Sequence, residues 1–316
     1  MCCIFGLLDY KGKLTAAHRL QIVNVLGTAA EVRGTDATGI AFFQCGRLHI
    51  QKAPKPAHKM KYRIPEEARY IMGHTRMTTQ GSEKKNQNNH PFTGSAGNAM
   101  FALAHNGVLI NDYELRMRNQ LPKTTIETDS YVAVQLIEMQ KEVSPNSLRR
   151  MAEAMEGHFT FTVLDQENDM YFIKGNNPLT IYHYPKLGVY LYASTLEILE
   201  MALKHLPFQA QKKEIIQPKQ GEILRIDSVG IRTTTKFDDT NIRYNWWGYY
   251  EPPVIRHEDE YMSFVLDMGQ ALGVPHQDLQ ILSRAGYSAF DLEDLIYDEK
   301  LRTSCLEEVK RELAVW

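Results

Sequence analysis

The sequence has no run of eighteen or more apolar residues, so it offers no candidate membrane-spanning helix. Its first residues carry no basic segment and their apolar run breaks at Asp9. No export signal is read there, no membrane contact is expected, and the expected location is cytoplasmic. Four cysteines, Cys2, Cys3, Cys45 and Cys305, show no C-x-x-C spacing, and the eleven histidines form no H-x-x-x-H pair. Both gaps argue against a metal site, and without export the thiols are expected to be reduced. There is no internal repeat. Lysine and arginine are not gathered into stripes interleaved with aromatics, which argues against nucleic acid, because counterion release needs clustered cations.

What is present is a chain of 316 residues, 43% hydrophobic and 23% charged, enough for one large core and a smaller second unit. Charge is unevenly shared. Residues 251–316 hold 14 acidic and 6 basic side chains, against 24 acidic and 30 basic in residues 1–250, so the tail carries −8 and the body +6. Electrostatic contact between the two is the simple expectation. Composition changes abruptly at the aromatic stretch from Tyr244 to Pro253. We therefore expect a domain over residues 1–240 and an acidic helical region over residues 251–316. Trp246 reads as a packing anchor, with a ligand platform as the alternative.

Periodicity predicts a strand over Cys2–Leu8 and a helix over Leu14–Ala30. The glycine-flanked loop Arg33–Gly39 follows, then strands over Gly39–Gln44, Leu48–Ala53 and Tyr70–Met77. Thr78–Ala99 is polar and reads as a long functional loop. A strand over Met100–Leu109 runs into Asn106-Gly107, a pair that by itself is a turn signal. Helices are expected over Asp112–Gln120 and Asp129–Gln140, and from Ser144-Pro145 to Gly157. Four close-spaced strands fill 158–194, and Ser194 with Glu197 reads as a capping box for a helix over Thr195–His205. Strands over Gly221–Ile226 and Ile231–Phe237 complete the body. Helices are expected over Glu258–Leu272, His276–Arg284 and Asp298–Leu313. Strand runs joined by turns and flanked by helix groups imply α+β architecture with antiparallel sheets.

The amino terminus carries the sharpest chemistry. Removal of Met1 would leave a thiol and a free α-amine on Cys2, so that the amine, titrating near ~8, can accept the proton of a thiol titrating near ~8.5. Neighbours on a strand face opposite ways, and only Cys2 can own the terminal amine, so Cys3 is expected to be structural.

Further segments carry a resemblance in fixed order: Arg33-Gly34-Thr35-Asp36, Gly73-His74-Thr75-Arg76 through Gly81, Asn89-His90-Pro91, His105-Asn106-Gly107 with Asn111, and Glu127-Thr128-Asp129. With the Cys2 start they resemble the class II glutamine amidotransferases, the N-terminal nucleophile glutaminases of glucosamine-6-phosphate synthase and amidophosphoribosyltransferase. The likeness runs over about residues 1 to 230 and implies a four-layer αββα sandwich. It implies that Cys2 is the nucleophile and that Asn106 with the Gly107 N–H forms the oxyanion hole. For L-glutamine it implies that Arg76 binds the α-carboxylate, Asp129 the α-ammonium, Thr78 a further part of the substrate, and that Arg33 holds the terminal residue. It implies no cofactor and no metal, and an ammonia-accepting synthase or transferase partner. The number of subunits is left open.

Read singly, Arg76 could be a surface ion-pair residue and Asp129 a helix cap. A related amidase on another amide, or a silent glutamine-sensing subunit, also fits. Cys3 stands where the family generally has Gly, Met77 where the aminotransferase has an aromatic residue, and Gln80 where His is common. After the matching region no synthase domain is recognised.

Overall fold

The computed structural model describes residues 2–208, 211–244, 262, 265–266, 268–270, 273–297 and 299–313. The chain divides into two compact units, Met1–Trp246 and Trp247–Trp316. The aromatic stretch around Trp246 and most of the expected helix over 258–272 lie outside the described residues.

In the first unit, thirteen described strands form two sheets. One orders its strands β11 (Glu214–Ile216), β9 (Thr180–Tyr184), β10 (Val189–Ala193), β1 (Cys3–Asp9), β4 (Tyr70–Arg76), β2 (Ala37–Gln44) and β3 (Arg47–Ala53), the other β13 (Arg232–Lys236), β12 (Glu222–Ile226), β8 (Met170–Lys174), β7 (Gly157–Asp165), β6 (Ala99–Leu109) and β5 (Phe92–Ala96). Every pairing is antiparallel. The strands that position the site are β1, β2, β3, β4, β6, β7 and β10. β1 is buried along its whole length because both of its faces are covered. Cys3, Phe5 and Leu7 pack with Ile22, Val23 and Leu26 of helix α1 (Ala16–Ala29). Ile4 and Leu8 pack between the sheets with Tyr70, Met72, Ala102, Ala104, Leu164 and Tyr192. The outer face of the second sheet is covered by Val132, Leu136, Leu148 and Met151 of the helices over Tyr131–Gln140 and Pro145–Ala154. The result is helix, sheet, sheet, helix, as the resemblance implied.

Three local expectations change. The polar stretch 78–99 holds an additional strand, β5 (Phe92–Ala96), whose buried and exposed residues alternate. Its apolar signal is hidden because Thr93, Gly94 and Ser95 lie between its two ends. Asn106-Gly107 is not a turn: β6 runs through it and pairs Asn106 with Thr160 and Gly107 with Phe159. The helix after β10 (Leu196–Leu203) is capped by Thr195, whose hydroxyl accepts from the Ile198 N–H, while Ser194 is fully buried and bonded elsewhere.

In the second unit, helices over His276–Arg284, Ala289–Tyr297 and Glu299–Leu313 enclose their own core of Leu279, Leu282, Leu292, Leu306 and Val309. The Ala289–Tyr297 helix was missed in sequence. In the last helix Leu301 is 51% exposed, so the buried stripe runs through Leu306 and Val309 with Cys305 partly buried against it. Among the described residues no helix is long and apolar enough to cross a membrane.

Candidate active site

Side chains alternate along a strand, and at one end of the inter-sheet layer the alternation brings polar groups where apolar ones had been. On β4 the inward series Tyr70, Met72 continues as His74 and Arg76; on β6 Ala102, Ala104 continues as Asn106. Cys2, just ahead of β1, continues the inward series of Ile4 and Leu8. Cys3, fully buried, belongs to the opposite, helix-facing core.

A narrow cleft lies there, lined by Cys2, Arg76, Gln80, Gly107, Asp129 and Ser130 among others. Its free volume is about 10 Å³, close to that of a single water-sized sphere. The half-buried Cys2 thiol donates to the Met77 carbonyl at 3.4 Å. Burial pushes this thiol above its usual range; the positive charge of Arg76 opposes the shift and Asp129 adds to it. At neutral pH the thiol is therefore protonated.

Arg76 is 3% exposed and makes no ion pair among the described residues. Its Nη1 donates to Asn89 Oδ1 at 2.7 Å and its Nη2 to the Gln80 carbonyl at 2.6 Å. Asp129, which also lines the cleft, is equally buried. Its Oδ2 accepts the Leu109 N–H at 2.6 Å and its Oδ1 the Ser130 hydroxyl at 3.3 Å. A buried charge without a counter-ion is costly, so two of opposite sign in one cleft are complementary to a zwitterionic ligand. Gln80 bridges them: its Oε1 accepts the Asp129 N–H at 3.1 Å while its carbonyl holds Arg76.

Gly107 lines the cleft, and Asn106 lies one residue back, fully buried. Gly107 has φ 144°, and a Cβ there would lie 1.9 Å from the His158 carbonyl oxygen. No other residue fits. Arg33 Nε donates to the Cys2 carbonyl at 3.1 Å. In the same loop Asp36 accepts the Thr78 N–H at 2.7 Å, and Gly34 lies so close to β4 that a Cβ would meet the Arg76 carbonyl carbon at 2.5 Å. Arg33 and Thr78 are not on the cleft wall; Thr79 is, and the Thr78 hydroxyl is buried without a partner among the described residues.

Sequence reasoning gave no role to Asn89, Gln80, Ser130 or Lys52. Lys52 Nζ donates to the carbonyls of Asn89 and Pro91 at 2.5 and 3.1 Å, and burial lowers its pKa to about 8. It thus braces the segment that holds Arg76, and only its placement on an otherwise half-buried strand hinted at this. His74, His90 and His105 do meet. The rings of His74 and His90 are 4.3 Å apart, and His74 Nε2 bonds the His105 carbonyl at 2.9 Å. Burial depresses all three imidazoles, His74 to about 3. Among the described residues no group of three or more His, Cys, Asp or Glu is arranged to hold a metal ion.

Two antiparallel sheets between helical layers, with a cysteine opening a central strand at the mouth of a polar cleft, define the N-terminal nucleophile class of fold. A family model described as a glutamine amidotransferase domain matches residues 74–201. Glutamine--fructose-6-phosphate aminotransferase [isomerizing] of Sulfolobus acidocaldarius is 30% identical over 190 residues, 57% of this chain and 31% of the relative. Amidophosphoribosyltransferase of Methanothermobacter thermautotrophicus is 32% identical over 187 residues, 55% of this chain and 37% of the relative. The glutamine phosphoribosylpyrophosphate amidotransferase structure from B. subtilis superposes with a TM-score of 0.62 at 19% identity, covering 86% of this chain and 58% of that one, a likeness of fold. Over residues 74–201 the chain carries a glutamine amidotransferase domain, and its curated relatives are class II glutamine amidotransferases. The chain spans about a third of the length of these curated relatives.

Proposed function

We propose that the protein hydrolyses the side-chain amide of L-glutamine to glutamate and ammonia, with Cys2 as nucleophile once Met1 is removed. The observation that carries this reading is the pairing, in the cleft that holds Cys2, of a buried cation and a buried anion that lack counter-ions among the described residues. The α-carboxylate of glutamine would sit on Arg76 and its α-ammonium on Asp129, which aims the δ-amide at sulfur. Admitting glutamine requires the segment from Met77 to Gly81 to move, because the cleft as it stands holds little more than one water.

In the reaction the Cys2 sulfur attacks the δ-carbonyl carbon as the α-amine of Cys2 takes the thiol proton. The oxyanion receives hydrogen bonds from the Asn106 amide and the Gly107 N–H. Collapse breaks the C–N bond, the terminal ammonium returns the proton to the departing ammonia, and water attacks the γ-glutamyl thioester to release glutamate and the thiol. The raised pKa of the thiol suits a nucleophile that relies on an adjacent base. Ammonia would pass to an acceptor on a separate synthase or transferase subunit, or be released.

The test joins intact mass to activity. Loss of Met1, ammonia release from glutamine, and addition of a δ-electrophilic glutamine analogue to the peptide beginning at Cys2 are expected. A retained Met1 with no ammonia release would favour a glutamine-sensing subunit.

A further inference from the structure

The pairing of β1 with β10 places Phe5 opposite Ala193 and stops there. The next pair would be Ile4 opposite Ser194. At that point a side chain replaces the ladder: the Ser194 hydroxyl oxygen accepts the Ile4 N–H at 3.0 Å. The same oxygen accepts the Asn106 Nδ2–H at 3.3 Å. β1 and β10 belong to one sheet and β6 to the other, so this fully buried hydroxyl links the two sheets two residues from Cys2 and at the oxyanion residue itself.

A carboxamide nitrogen carries two N–H groups. Ser194 engages one, which stops rotation of the amide and leaves the second to donate. The backbone at Asn106 is fixed as well, for its carbonyl accepts Asn177 Nδ2 at 2.8 Å and the Asn177 carbonyl accepts the Thr160 hydroxyl at 2.7 Å. Asn106 Oδ1 is buried with no partner among the described residues, so nothing else holds the amide plane. An oxyanion donor is effective when its dipole is fixed before charge develops.

We propose that Ser194 is a positioning residue: anchored to β1 through the Ile4 N–H, its hydroxyl orients the Asn106 amide towards the oxyanion. The inference rests on the glutaminase reading and adds to it a residue that the sequence assigned to a helix cap. If it holds, Ser194→Ala lowers kcat for glutamine hydrolysis about 10- to 100-fold and leaves KM within about threefold, because the interaction matters when the oxyanion forms. Ser194→Thr, which keeps the oxygen, retains most of the activity.

The decisive measurement is a double-mutant cycle with Asn106→Ala, run on chains whose thermal melts show that they are folded. In the Asn106→Ala background, Ser194→Ala should change kcat less than about twofold. An equal loss in both backgrounds, or no loss in an active parent chain, overturns the proposal. A second readout needs no turnover: the side-chain amide resonances of Asn106, assigned by their disappearance in Asn106→Ala, should shift and exchange faster with solvent in Ser194→Ala. Unmoved amide resonances overturn the positioning role. A parent chain that hydrolyses no glutamine overturns the functional reading instead, and the amide resonances still decide the role of Ser194.

Discussion

The carbonyl oxygen of Cys2 accepts a hydrogen bond from Nε of Arg33 at 3.1 Å. A guanidinium reaching from the loop before β2 thus fixes the backbone of the residue proposed to hold both nucleophile and base. A hydrogen bond to a charged group contributes about 1.5 to 3 kcal/mol, and each ~1.4 kcal/mol is tenfold. Arg33→Met should lower kcat/KM for glutamine roughly 10- to 100-fold in steady-state assays while the analogue still labels Cys2, slowly. Unchanged kinetics would remove Arg33 from the site.

Cys2 and Cys3 offer a sharper contrast, because adjacent thiols face opposite layers. Cys2→Ala and Cys2→Ser should abolish, or nearly abolish, ammonia release. Cys3 is packed among Ile22, Val23 and Leu26, so Cys3→Ala should retain activity and lower only the melting temperature. Equal loss of activity at both positions contradicts the assignment of the nucleophile.

Substrate recognition and transition-state stabilisation should separate in kinetics. On the proposed reading Arg76 and Asp129 hold the distant end of glutamine, so Arg76→Lys and Asp129→Asn should each raise KM by about 10- to 100-fold. Asn106→Ala should lower kcat, since its bond strengthens only as the oxyanion forms, by about 10²- to 10³-fold. An effect of Asn106→Ala confined to KM would show that the amide binds substrate and not the oxyanion.

The buried imidazoles impose a pH dependence on stability. Burial holds His74 near 3 against a usual 6.5, and His90 is depressed as well. Above pH 6.5 folded and unfolded chains are both neutral at these rings, and stability is unaffected. As pH falls from 6.5 towards 3, the unfolded chain takes up protons that the folded chain refuses. Each such ring then costs about 1.4 kcal/mol of stability per pH unit. Urea midpoints measured from pH 7 to pH 4 should fall, and His90→Asn should flatten the fall; parallel curves for parent and variant would contradict it.

The nucleophile strand, the Arg-Gly loop and the α+β layering are readable in sequence because each rests on local pattern. Cys2–Leu8 alternates between two apolar environments, and Ser144-Pro145 starts its helix as expected: the Ser144 hydroxyl accepts the Ser147 N–H, with Pro at the first turn. Arg76, Asp129 and Gly107 are brought together in sequence only by the family resemblance and by no local pattern, since β4, β6 and the segment before the Tyr131–Gln140 helix converge through sheet packing. Ser194 was misread because S-x-x-E is a capping pattern wherever it falls, and the competing partners, Ile4 and Asn106, lie 190 and 88 residues away. Gln80 counted only as a departure from a family pattern, although its side chain holds Asp129 and its carbonyl holds Arg76.

The second unit supplies the last prediction. Every side chain and backbone group placed at the cleft lies between Cys2 and Ser194, in the first unit. The second unit has its own core around Leu279, Leu292 and Val309, so its helices bury their apolar stripes against one another. A segment that carries its own core and no site residue is separable in principle. We therefore expect a chain ending at Tyr250 to fold with one cooperative thermal transition and to hydrolyse glutamine with kcat/KM within about threefold of the full chain. Its net charge would be +6 where the full chain has −2, so its elution from an anion exchanger should move earlier. If that chain folds and has lost all glutaminase activity, residues 251–316 complete the active site, and the division of the protein into a catalytic body and an accessory tail is wrong.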